Sequence, residues 1–333
     1  MAFARYPLMW LAAMVASVGL LRAAPPDVAG TTQRPAASQH NEGAKKKDGF
    51  VRLVRDAQQR PAALQTAIVR YAKKPTGAGT TVDLVAAIHI ADAAYYRQLN
   101  REFENYDVVL YELVAPENLK VPQPGDIPSN NPISLVQNGL KDLLALEYQL
   151  KEIDYRPKNM VHADMSPEQF AASMRQRGES VAGILARMIG YELSKRSKTS
   201  GGSNDMEILM ALFDKNRALA LKRALAEQFT DSEEALAAID GPRGSTLISG
   251  RNQKAMAVLK KQLSGGPKKI AIFYGAAHMP DFEKRLSKEL AMRPMDTRWL
   301  VAWNLKENPA APQRAVPPDN KHPDRDGQGD PSE

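Results

Sequence analysis

Cysteine is absent from the 333 residues of the chain, which removes disulfide frameworks, thiolate-held zinc, iron–sulfur clusters, cysteine nucleophiles and lipoprotein lipidation together. Any metal must therefore be held by His, Asp, Glu or carbonyl oxygen. Histidine is scarce as well, with five in the chain, and aromatic residues amount to 6%. Basic side chains outnumber acidic ones by only 45 to 38, and the one basic run, Lys45-Lys46-Lys47, sits in a polar stretch. Without a basic stripe or aromatics at stacking spacing, a nucleic-acid partner is not expected. No H-E-x-x-H, Walker loop or G-x-S-x-G elbow occurs in the sequence, so ordinary zincin, nucleotide-hydrolase and α/β-hydrolase chemistry lose their signatures.

What is present suffices for a sizeable core, since 43% of the residues are apolar, and this excludes a wholly disordered or fibrous chain. The N-terminus has the layout of an export signal. Arg5 precedes an apolar run over residues 7–21, too short to span a bilayer comfortably, and Arg22-Ala23-Ala24-Pro25-Pro26 follows. A signal over residues 1–24 is expected, with an uncleaved anchor and membrane association as the alternative. Either form places the body outside the cytoplasm, in a periplasmic or extracellular space. Residues 25–48 and 306–333 are rich in Pro, Ala, Asp, Gln and Gly and lack the apolar content to offset ordering entropy, so both are expected to be disordered. His40 and His322 fall in them, which leaves His89, His162 and His278 for the body at residues 49–305.

Within that body the pattern predicts an α/β fold: a central, mostly parallel sheet from two β-α units with a large helical insertion at about residues 131–240. Residues 66–71 and 81–89 read as a hairpin, and Asp92 as the N-cap of a helix presenting Tyr96, Leu99 and Phe103. The uninterrupted Val108-Val109-Leu110-Tyr111 suits a strand buried on both faces. Helices are expected over residues 132–153, 167–177, 181–195, 205–229, 232–238 and 247–263, the second of them opened by the capping box of Ser166-Pro167-Glu168-Gln169. A strand at 269–274, a helix at 281–290 and a strand at 297–304 close the chain. Strand, His89, helix, strand is thus echoed by strand, His278, helix, strand.

Functional side chains in parallel sheets gather beyond the carboxyl ends of the strands, and His89, Glu112 and His278 all fall there. Ala86-Ala87-Ile88-His89 and Gly275-Ala276-Ala277-His278 each leave a strand through small residues, which lets the imidazole beyond them reach a shared crevice. Glu112 is a carboxylate after a buried strand, so it needs a partner: a metal, an imidazolium, or an arginine such as Arg251. Two imidazoles and a carboxylate make a usable divalent-metal site with positions left for water.

Ala86 to His89, the Tyr111-Glu112-Leu113 strand end, Gly250-Arg251-Asn252 opening a helix, and Phe273-Tyr274-Gly275-Ala276-Ala277-His278 occur in that order. This order and spacing resemble the TraB/GumN family, which includes the Tiki metalloproteases, over residues 84–304. The family's pattern is a pair of G-x-x-H motifs, a glutamate after the second strand and an arginine before the last motif. The chain departs from it at Ala86, where the first motif has glycine, and alanine serves there unless the backbone needs positive φ. The resemblance implies a metal-dependent peptidase or related hydrolase acting on peptides or proteins, with manganese, cobalt or zinc as the ion. It makes His89 and His278 candidate metal ligands, Glu112 a ligand or general base, and Arg251 a holder of substrate or developing anion. A non-catalytic protein holding metal or haem through the same histidines is the rival reading.

His162 and Asp164 stand outside those motifs, just before the capped helix. If the insertion covers the crevice, His162 adds a ligand or shuttles a proton and Asp164 adds a ligand. The local alternative has Asp164 helping to cap the helix and His162 packing beneath it.

Overall fold

The computed structural model describes residues 49–74, 79–116, 146–180, 213–229, 244–266 and 268–307, with positions 144, 182–184, 186–187, 210–211 and 240 between them. The signal, the linker and nearly all of the tail lie outside the described residues, as do residues 132–143 of the helix expected over 132–153, the helix expected at 232–238 and most of the one expected at 181–195.

The strands are β1 (Val51–Arg55), β2 (Pro61–Ala72), β3 (Thr81–Ala87), β4 (Ile90–Ala91), β5 (Val108–Tyr111), β6 (Glu147–Tyr148), β7 (Met160–His162), β8 (Lys269–Gly275) and β9 (Arg293–Asn304). The helices are α1 (Ala93–Phe103), α2 (Gln149–Glu152), α3 (Pro167–Arg177), α4 (Arg217–Phe229), α5 (Arg251–Leu263) and α6 (Met279–Leu290). Seven strands form one mixed sheet. Its parallel half runs β3-β8-β5-β7, with β8 flanked by β3 and β5. Its antiparallel half is built on the long β2, which pairs with β1 and then β3 along one edge and with β9 along the other. The fold is therefore α/β, with parallel strands where the candidate residues lie.

Burial on both faces explains the parallel centre. Alternate residues of β8 feed two cores: Ala271 and Phe273 pack with Leu99 and Phe103 of α1, whereas Ile270, Ile272 and Tyr274 pack with Met256 and Leu259 of α5 and Phe282 and Leu286 of α6. A strand covered by helices on both sides has no solvated face to carry polar residues, hence the unbroken apolar runs in β5 and β8. The outer β9 differs. Much of it is exposed, and it joins β2 antiparallel rather than extending the parallel set after α6. The second β-α echo thus holds as far as α6 and ends there.

Two expectations for the middle of the chain change. The insertion read as helical contributes β7 in the stretch between the expected helices at 132–153 and 167–177, where it pairs in parallel with β5 and carries His162. It also contributes β6, which pairs with β4. Strands of three and two residues are too short to impose a period of two on a sequence window, so pattern reading passes over them. Asp92 stands at the N-cap of α1 but makes no capping bond. Its carboxylate accepts instead from Lys222 Nζ of α4 at 2.7 Å and from the Asn304 amide of β9 at 2.6 Å, where a charged donor outweighs a neutral capping amide. The capping box of α3 forms as expected, and Gly178 ends that helix at φ 64°.

Candidate active site

β3, β8 and β5 run side by side in the same direction, so their carboxyl ends share one edge of the sheet. His89 follows Ala87, the last residue of β3, Glu112 directly follows Tyr111 of β5, and His278 closes a 3₁₀ turn after Gly275 of β8. Ala86 lies within β3, and the described residues with positive φ other than glycine are Gln59 and Ala291. Alanine in place of glycine at 86 therefore carries no backbone strain.

Glu112 is the hub. It is 4% exposed. Oε2 accepts from the Gly275 amide at 2.6 Å, and Oε1 lies 2.8 Å from Arg251 Nη2 and 3.5 Å from His278 Nε2. Arg251 also grips Asp164, donating from Nε to Oδ1 at 3.0 Å and from Nη2 to Oδ2. Burial alone would raise the Glu112 carboxyl, but Arg251, His278 and His89 outweigh it and hold the group well below the ordinary carboxylate range. Burial likewise works against the Arg251 cation, and Asp164 and Glu112 reverse that, raising its pKa. Over these three side chains, two carboxylates meet one guanidinium, one acidic group in excess.

That excess faces the imidazoles. His89 Nδ1 lies 3.0 Å from Gln149 Oε1, and His278 Nδ1 lies 2.6 Å from Asn252 Oδ1. With Nδ1 facing a carbonyl-type oxygen, the free Nε2 is the nitrogen each ring presents elsewhere. For His278 it points at Glu112. For His89, a methyl built on Gly275 would come 3.1 Å from Nε2 and 3.3 Å from Glu112 Oε2, so both atoms press on one point of the β8 backbone. Burial pushes the His89 imidazole down, with Glu112 opposing and Arg251 adding to the effect. It is nevertheless the one histidine of the pair that reaches solvent, being half-buried where His278 is 3% exposed.

The candidate set thus divides. His89, Glu112, Arg251 and His278 come together, and Asp164 joins them through Arg251. His162 does not: its Nε2 bonds the Leu113 carbonyl at 2.6 Å and its ring packs on Tyr111. Asp164 also accepts from the Met165 amide at 2.7 Å just ahead of α3, while the capping oxygen proper belongs to Ser166. Gln149 and Gly275 carry duties in the site that residue type alone does not announce. Gln149 is placed by the β4-β6 pairing, which also lets its amide donate to the His89 carbonyl at 3.0 Å. Asn252 was legible only as the neighbour of Arg251.

Among the described residues, no group of three His, Asp or Glu side chains stands ready to hold a metal ion. The side chains that do meet are two imidazoles with Nδ1 against oxygen and one carboxylate, which are nitrogen and oxygen donors of the kinds divalent cations take. Comparisons with family models, with curated proteins and with solved structures find no match for the chain. Among the described residues, no helix is long and apolar enough to cross a membrane.

Gly275 has an ordinary φ of −51°, so the glycine is required for space rather than for backbone freedom. Gly275→Ala is expected to drive His89 and Glu112 apart and to lower stability by about 1–3 kcal/mol, the usual cost of overpacking. Urea unfolding measures this, and wild-type stability would show that the crevice yields to a methyl group.

Proposed function

We propose that the chain is an exported hydrolase of the TraB/GumN type that cleaves peptide bonds in peptides or proteins, with a divalent cation, manganese, cobalt or zinc, held by His89, His278 and Glu112. The observation that carries this reading is the excess acidic group around Glu112 facing two imidazoles whose Nδ1 atoms are both engaged by amide oxygen. A buried acidic group in excess calls for a cation, and nitrogen lone pairs beside it supply ligands. A bound divalent cation would act as a Lewis acid and bring the pKa of a water into the neutral range.

The remaining work falls to the chain. Arg251 keeps Glu112 ionised, and Asp164 keeps Arg251 oriented, so the carboxylate is fixed before any substrate arrives. Glu112 completes the ligand set. The half-buried His89 is the more exposed of the two histidines, so substrate would approach from its side. Arg251, beside Glu112, is the cation nearest to where a developing oxyanion would form.

Two measurements test the proposal. Purified protein spanning residues 49–305 is expected to bind manganese or cobalt near one equivalent and to hydrolyse unstructured peptides. His89→Ala, His278→Ala and Glu112→Gln are each expected to lower metal content and hydrolysis together, the latter by at least about 100-fold. Metal binding without hydrolysis in the wild-type protein would make it a binding protein instead, and wild-type metal content in all three variants would refute the site. For export, N-terminal sequencing of protein recovered from its host is expected to begin between Leu20 and Pro26, whereas an intact Met1 in a soluble cytoplasmic fraction would contradict it.

A further inference from the structure

The two histidines are held by the same device on two unrelated elements. Asn252 sits in the first turn of α5 and is fully buried. Its Nδ2 donates to the His278 carbonyl at 2.9 Å and to Asp281 Oδ2 at 2.9 Å, and Asp281 in turn accepts from Arg285 Nε at 2.6 Å. A backbone carbonyl and a carboxylate can only accept, so the NH2 group of Asn252 has to face them and its oxygen has to face the His278 ring. An oxygen 2.6 Å from Nδ1 requires the proton to be on Nδ1. In the neutral ring Nε2 is then the lone-pair nitrogen, and it stands 3.5 Å from Glu112 Oε1, which as a carboxylate cannot donate to it. Gln149, 3% exposed, repeats the arrangement for His89: Oε1 meets Nδ1 at 3.0 Å, and Nε2 donates to Tyr155 OH at 3.1 Å. A carboxamide accepts a proton bond without adding charge, so it selects a tautomer and leaves the electrostatic balance at Glu112 as it was.

We infer that Asn252 and Gln149 are paired positioning residues that set the Nδ1–H tautomer of His278 and His89 and so aim both Nε2 lone pairs into the site. The inference rests on the proposed function for its purpose, but not for its test. The half-buried Arg285, Asp281, Asn252 and His278 form one chain of directed hydrogen bonds, so the orientation of the innermost ring is anchored through α6.

The test is ¹⁵N NMR of histidine-labelled, chelator-treated protein near neutral pH, with signals assigned by His89→Gln and His278→Gln. Wild-type protein is expected to show a protonated Nδ1 and a lone-pair Nε2 for both rings. Asn252→Leu removes the acceptor at nearly constant size and is expected to shift His278 to mixed or Nε2–H tautomers while leaving His89 unchanged; Gln149→Leu is expected to do the converse. Manganese affinity is expected to fall about 10–100-fold in each Leu variant. A wild-type His278 protonated on Nε2 would overturn the inference without any variant, which keeps it decidable if Asn252→Leu does not fold. So would an unchanged tautomer in the folded Leu variants. Tautomers that follow the carboxamides in a protein with neither metal affinity nor hydrolysis would refute the proposed function and leave the inference standing.

Discussion

A carboxylate taken out of water costs several kcal/mol unless charges and donors replace the lost solvent, and Glu112 is such a group at the very end of a strand buried on both faces. Its compensation is assembled from across the chain. The Gly275 amide comes from β8 and the guanidinium of Arg251 from the start of α5, while the His278 ring stands beside the carboxylate at the turn into α6. Arg251 would itself be an uncompensated buried cation without Asp164, which β7 and the turn into α3 supply. Each partner thus creates the need for the next, and together they tie four segments to one edge of the sheet.

The parallel order of β3, β8 and β5 is what makes this assembly cheap in chain length. Each of the three strands delivers its chemistry within three residues of its carboxyl end, and the small residues of the β8 turn let the Glu112 and His89 side chains meet above the backbone. The antiparallel half of the sheet has another role. It extends the core away from the site and holds α4 to α1 through Asp92 and Lys222, a mostly buried pair that also catches the end of β9.

Much of this was legible in the sequence, for identifiable reasons. The apolar runs of β5 and β8 and the apolar face of α1 are long enough to announce their elements, and Ser166-Pro167-Glu168-Gln169 carries a helix start in four residues. His89, Glu112 and His278 could be grouped because each comes within three residues of the end of an apolar strand-like run. Arg251 could be named as a partner for Glu112, and the structure places it there. What stayed hidden depends on pairing across distant segments. β6 and β7 are too short for periodicity, yet β6 places Gln149 against His89 across 60 positions of sequence. Asp164 looked like a capping residue or a ligand, and its grip on Arg251 spans 87 positions, a contact no local pattern encodes. The antiparallel course of β9 follows from its exposed residues, whose meaning is clear only once both faces of the central strands are known to be covered.

The central claim is that His89, Glu112 and His278 act as one cation-binding unit at the carboxyl edge of the parallel strands. Anomalous diffraction from crystals of the protein soaked in manganese measures it directly. The account predicts one strong peak at about 2.0–2.3 Å from both Nε2 atoms and a Glu112 oxygen, in the range of metal–ligand bonds. A map with no peak at this edge, or with the ion bound at other side chains, would contradict it.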